Sequence, residues 1–268
     1  MADLRFDAST GRWAAVAPGR TRRPGATAIA SDERADCPFC SGHEDQTPPE
    51  TLLLGDGPTG WDVRVVPNLY PALERQEVVV HGPEHLHSIA ELSDATLDRV
   101  AEAWQRRARD AGGICFPFIN EGHDAGASLP HSHSQLAWLP APPPAAAAEI
   151  GLPELVPVLE RDGLIAGCPV VSRVAYELLV YPEQAEPAGL RSELLGSALR
   201  LVAELAGRLH RIRDGFVPIN VWLHEGAHWH LEVFPRTSRL AGLELGAGVY
   251  IDPVAPETAA AEYAAAAA

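Results

Sequence analysis

Two short stretches of the chain hold residue types that do chemistry. The first is "HSHSQ" at 131–135, where His131, His133 and Gln135 alternate with serines. Successive side chains of a strand point to opposite faces, so a strand here would line one face with two imidazoles and an amide. A histidine facing an anion-binding loop can act as a nucleophile toward phosphorus, its lone pair aimed by a neighbouring hydrogen bond or ligand. Such a loop precedes it: "NEGHDAGASLP" combines Asn120, Gly122, Gly126 and Ser128 with backbone N–H groups able to receive phosphate oxygens. The second stretch is "CPFC" at 37–40, readable as a metal knuckle, a redox pair or two buried thiols. Redox pairs sit where a strand enters a helix, whereas this one lies in a loop-rich segment. That favours metal, since two thiolates on a tight turn can both reach one tetrahedral ion. The further ligands would come from His43, His81, His85, His87, His123 and His131.

These residues need elements to position them. The first ~60 residues, rich in Pro, Gly and charge, read as extended chain and loops. "QEVVVHG" reads as a strand. Ser93 then N-caps a helix whose buried face is Leu97, Val100, Ala101, Trp104 and Ala108. "ICFPFIN" and "HSHSQLAWL" are two more strands. The order returns about a hundred residues later. "YELLVYP" is a strand, Ser192 caps a helix with Leu195, Ala198, Val202, Leu205, Leu209 and Ile212 buried, and "FVPINVWL" and "HWHLEVFP" follow as strands. "FPFIN" (116–120) recurs as "FVPIN" (216–220), and "HSHSQ" as "HWHLE" (228–232). Matching words in register with matching helices imply a duplicated β-α-β-β unit, with "PAPPPAAAAEI" as the linker.

Bulk properties bound the function. The 268 residues carry a net charge of −15, which argues against a nucleic-acid surface. No apolar run is long enough for a membrane span, and "MADLRFDAST" lacks the apolar core of a signal peptide. Cys37, Cys40, Cys115 and Cys168 form no disulfide framework. A cytoplasmic protein is the simplest reading.

The ordered set "CPFC", "GPEH" running into "LSDATL", and N-x-G-x₃-G-x-S-x-P-H-x-H-x-Q resembles the galactose-1-phosphate uridylyltransferase family of the histidine-triad superfamily. The likeness runs from "LRFDASTGRWAAVAPGRTRRP" through "VVPNLYPAL" to "GLELGAGVYIDPVAPE", nearly the whole chain. It implies an α+β fold of two histidine-triad-like halves with antiparallel sheets behind an extended N-terminal segment. Residues 1–140 would hold the zinc site and nucleophile, and 150–268 a sugar-binding or structural half.

The resemblance also implies roles. Cys37, Cys40, His85 and His131 match a structural zinc site, a closed Cys₂His₂ set. His133 matches a nucleophile that forms a nucleotidyl-histidine, and Gln135 a donor to a phosphoryl oxygen. Arg20, Arg23, Asn68, Asn120, Gly126 and Ser128 match phosphate and nucleotide contacts, and Glu244 a residue that binds sugar hydroxyls. Some members hold a second metal, iron or zinc, for which Glu149, His224, His228 and His230 are candidates. The implied reaction is UDP-glucose—hexose-1-phosphate uridylyltransfer, with a nucleoside-diphosphate sugar and a sugar 1-phosphate as partners and a homodimer as assembly. "PNLYPAL" and "GASLPHSHSQ" are closer to the ADP-glucose and dinucleoside-polyphosphate phosphorylase branch, in which phosphate is the acceptor. A non-catalytic nucleotide- or zinc-binding module is the reading from another class.

Overall fold

The computed structural model describes residues 3–18, 20, 34–56, 59–109, 113–143, 145 and 151–267. The segment expected to be irregular contains a hairpin, β1 (Asp3–Asp7) and β2 (Arg12–Val16), closed by Asp7, whose carboxylate accepts from Ser9 and Thr10. The first half continues with β3 (Leu52–Leu54), β4 (Val63–Pro67), β5 (Gln76–Val80), helix α1 (Asp94–Ala108), β6 (Ile114–Glu121) and β7 (His133–Leu139). The second repeats that order with β8 (Leu155–Arg161), β9 (Leu164–Pro169), β10 (Leu178–Pro182), α2 (Leu195–Ile212), β11 (Ile219–His224) and β12 (His230–Pro235). Two helices follow, α3 (Gly242–Ala247) and α4 (Pro256–Ala265). The repeat is therefore larger than β-α-β-β. It has two more strands in front, which the sequence hides because β8 and β9 carry prolines and no clean alternation.

Ten strands make one antiparallel sheet in the order β3-β4-β5-β7-β6-β11-β12-β10-β9-β8. The order is a palindrome, with β6 and β11 at its centre. There Asn120 lies opposite Asn220, so the two copies of the "IN" motif meet across an approximate two-fold axis.

Helices α1, α2 and α4 cover one face of the sheet. In α1 the Ser93 hydroxyl accepts from the Thr96 N–H at 3.1 Å, and Leu97, Val100, Ala101 and Trp104 are buried at helical spacing. Trp104 is wholly buried and donates its indole N–H to Ser134 Oγ at 2.8 Å. Complete burial of a side chain of this kind contributes about 2–3 kcal/mol. Ser192 does not cap α2. A 3-10 turn at Gly189–Arg191 ends there, its hydroxyl accepts from the Leu194 N–H, and Leu194 holds the cap position. Ser134, Leu136 and Trp138 of β7 share the helix side, so His133 and Gln135 face the opposite way. On that opposite face of the first half lies a second apolar cluster, with Cys37, Phe39, Cys40 and Trp61 against Val66, Val78 and Val80. No helix among the described residues is long and apolar enough to cross a membrane.

Candidate active site

The loop cluster of the first half brings Cys37, Cys40, His85 and His131 together, with one ligand atom from each lying within 4.8 Å of the others. His85 Nδ1 is 3.1 Å from Cys40 Sγ, and His131 Nδ1 is 3.5 Å from Cys37 Sγ. His131 lies just before β7 rather than on it, so it turns toward the "CPFC" turn instead of sharing the strand face with His133. Its Nε2 lies 3.1 Å from the Gly82 carbonyl. A carbonyl only accepts, so the proton is on Nε2 and the Nδ1 lone pair faces the thiols. Burial pushes the imidazole down to about 3, keeping it neutral as a ligand must be. Burial, with the neighbouring Cys37, pushes the Cys40 thiol up to about 12. Two buried sulfurs and two imidazoles at this spacing fit a soft cation in a closed tetrahedral site.

The same logic orients His133. Its Nδ1 is 2.7 Å from the carbonyl of His131, which fixes the proton on Nδ1 and the lone pair on Nε2. Phe39, from within the "CPFC" turn, packs edge-on against this ring at 5.3 Å. The serines of "HSHSQ" have work on the other side, where Ser132 and Ser134 flank His81 at 3.0 and 2.9 Å. Burial, followed by the proximity of His133, lowers the pKa of His81.

Beside His133 opens a cavity of about 400 Å³, with Pro38, Phe39, Val66, Val78 and Leu129 on its apolar side and Asn68, Ser128 and Gln135 among its polar residues. Arg20 donates to the Tyr70 carbonyl at 2.6 Å, which ties it to this rim. Arg23 and Glu149 lie outside the described residues.

The Asn120–Ser128 loop rests on the second half. Asn220 Nδ2 donates to Asn120 Oδ1 and to the Ala125 carbonyl, both at 2.8 Å. Gly122 has φ +84°, and a Cβ there would come within 2.9 Å of the Phe216 and Pro218 side chains. Gly126 closes the turn in the left-handed region at φ +88°. Asn220 was legible in principle, because it is the repeat counterpart of Asn120.

The second half differs. His224 and His230 are brought together, but their third neighbour is Glu232. His228 stands outside this cluster, within 2.6 Å of the Pro182 carbonyl and with its ring against Tyr181. Glu232 is paired with the Arg173 guanidinium, which also binds Glu177. A dication would have to sit beside that guanidinium, so the set does not fit a second metal as it stands.

Glu244 does not line the His133 cavity. Its carboxylate accepts from the Ala241 N–H at 2.9 Å and caps its own helix, an exchange that lowers its pKa. It sits in a segment whose Leu243, Leu245, Val249, Tyr250 and Ile251 are all exposed.

Residues 71–140 match the N-terminal domain of galactose-1-phosphate uridyl transferase. This stretch takes in His85, the Asn120–Ser128 loop and "HSHSQ", while the "CPFC" turn falls before it. The whole chain is similar to the ADP-glucose phosphorylase of Arabidopsis thaliana, 25% identical over 96% of this chain and 91% of that protein. It is 23% identical to the galactose-1-phosphate uridylyltransferase of Thermotoga maritima over 97% of both. A solved uridylyltransferase structure overlays with a TM-score of 0.80 at 25% identity, covering 99% of this chain and 98% of that one. Along nearly its whole length the chain is thus similar to galactose-1-phosphate uridylyltransferases and an ADP-glucose phosphorylase. These likenesses, with the fold, mark a nucleotidyl-transferring enzyme of mixed α+β architecture.

Proposed function

We propose that the protein moves a nucleoside monophosphate from a nucleoside-diphosphate sugar to a phosphorylated acceptor by way of His133. The observation that carries this reading is the 2.7 Å contact of His133 Nδ1 with the His131 carbonyl, which aims the Nε2 lone pair, beside a cavity that His133 and Gln135 both line. Nε2 attacks the α-phosphorus, a P–N bond forms, and the bond to the sugar 1-phosphate oxygen breaks with release of sugar 1-phosphate. Positive charge growing on the ring is eased by the Nδ1–H bond to the carbonyl. Gln135 donates to a phosphoryl oxygen without adding charge, and Ser128 and the Asn120 loop receive the remaining oxygens. An oxygen of the acceptor phosphate then attacks the same phosphorus, and the P–N bond breaks to restore His133.

Cys37, Cys40, His85 and His131 would hold zinc. As a closed four-ligand site it ties the N-terminal loops to the entrance of β7 and supplies structure, not Lewis acidity. A homodimer is supported by the exposed apolar side chains of 243–251, a setting from which Glu244 would serve a partner's sugar site. The four buried free cysteines suit a cytoplasmic compartment.

Galactose 1-phosphate is the first acceptor to test, on the likeness to the Thermotoga enzyme and the N-terminal domain match. Inorganic phosphate is the second, on the near-full-length likeness to the Arabidopsis ADP-glucose phosphorylase. Incubation with UDP-glucose or ADP-glucose, followed by intact mass measurement, should give an acid-labile uridylyl or adenylyl adduct that His133→Ala abolishes. An adduct that survives His133→Ala, or none from any nucleoside-diphosphate sugar, would overturn the mechanism. The acceptor that discharges the adduct decides between the two substrates.

A further inference from the structure

Gln135 can donate to a phosphoryl oxygen only if its amide is turned the right way round, and the sequence motif does not say what turns it. Two backbone N–H groups of the β4–β5 connection supply the polarity. The Ala72 N–H donates to Gln76 Oε1 at 2.8 Å, and a backbone N–H cannot do otherwise. Gln76 therefore presents its NH₂ to Gln135, at 2.7 Å, and the atom it meets must be the carbonyl oxygen. The Tyr70 N–H likewise donates to Asn68 Oδ1 at 2.9 Å, which turns Asn68 Nδ2 toward the same oxygen at 3.4 Å. Both relays converge on Gln135 Oε1, so Nε2 is the end of the amide available to a ligand in the cavity.

We propose that Gln76 is a positioning residue for the reaction, setting the orientation of Gln135 so that it meets phosphate as a donor. The second half supports this by contrast. Gln135 pairs with Val78 and its counterpart Glu232 with Leu179, so Gln76, two residues before Val78, corresponds to Glu177. There both partners are carboxylates, bridged by Arg173. The amide pair and the carboxylate pair are alternatives of one site, and only the amide pair yields a neutral donor. This inference rests on the reading of His133 and Gln135 as the phosphate-facing pair.

The test compares Gln76→Glu with Gln76→Met in the full chain, folding being checked by circular dichroism. UMP and AMP are the binding probes, and turnover is measured where it exists. In Gln76→Glu the ionised carboxylate accepts at both oxygens and forces Gln135 to turn its own oxygen toward phosphate. Once protonated, the introduced carboxyl can again donate. Expressed as a ratio to wild type at each pH, Gln76→Glu should bind the nucleotide about tenfold more weakly at pH 8 and converge on wild type as pH falls. Its kcat should fall roughly 100-fold at pH 8, with KM changed far less. Gln76→Met should show a smaller loss that does not vary with pH. Equal losses in the two variants at every pH, or no loss in either, would overturn the inference. If wild type binds UMP or AMP but forms no His133 adduct, nucleotidyl transfer falls while the binding ratios still decide the role of Gln76. A wild type that binds neither overturns both.

Discussion

Strands β7 and β12 hold mirror positions in one sheet and carry nearly the same motif, "HSHSQ" against "HWHLE", yet their polar faces are built on opposite principles. On β7 the partners are neutral, with an imidazole bonded to a backbone carbonyl and a glutamine clamped by amides. On β12 the corresponding glutamate is ion-paired with Arg173 and lies 2.8 Å from His224. A neutral site can receive an anionic ligand and pair its oxygens. The second site is already occupied by the Arg173 guanidinium, which bridges its two carboxylates. Gln76 and Gln135 of the first half correspond to Glu177 and Glu232 of the second.

The comparison breaks most sharply at the histidines. His133→Ala should reduce turnover by roughly 10⁴-fold, whereas His230→Ala should stay within about threefold, as measured by release of sugar 1-phosphate. Equal losses would show that β12 also does chemistry. Metal content is the next discriminator. Cys37→Ser should lose zinc and lower the melting temperature by roughly 10 °C, while His224→Ala should leave the zinc content unchanged. Zinc lost on His224→Ala would refute the closed reading of the second half.

A third contrast concerns two carboxylates that hold the 3-10 turns in front of α1 and α2. Glu121 accepts from Ser88 Oγ and the Ile89 N–H, and Glu225 accepts from the Leu190 N–H. Burial raises the Glu121 carboxyl from an ordinary 4.5 to about 7 and raises Glu225 in the same direction. The folded state thus holds a proton on Glu121 that the unfolded chain has already released. Stability is fully present below pH 4.5 and falls as pH rises toward 7, by up to about 3 kcal/mol. Denaturant midpoints at pH 5 and 8 should show Glu121→Gln flattening this slope strongly and Glu225→Gln, on a less buried group, only weakly. The smallest effect is at Arg173. Arg173→Met leaves Glu177 and Glu232 facing one another and should cost about 2 kcal/mol, less than a fully buried pair because the guanidinium is 35% exposed. Adding Glu177→Gln and Glu232→Gln, which recreates the amide pair of the first half, should restore most of it.

The parts legible in the sequence were those in which local pattern and chemistry coincide. Ser93 and the spacing from Leu97 to Trp104 give α1, and the repeated words give the halves. The parts that were not legible depend on contacts across the chain. Gln76 reads as the first residue of an ordinary strand, because its bond to Gln135 spans 59 residues. Arg173 lies in a connection with no motif, and it alone turns the second polar cluster from a metal candidate into an ion pair. Ser192 looked like a cap because nothing in the local pattern marks the 3-10 turn ending there. Glu244 stands in an apolar setting in sequence but on an exposed segment in space.

Asn220, Phe216 and Pro218 reach across the central seam to hold the loop of the other copy. The second half thereby supports a loop that belongs to the first. An isolated first half would keep every residue of its motif and lose the ground on which its Asn120–Ser128 loop stands. A change at Asn220 should therefore be felt in the loop of the other copy, across the seam.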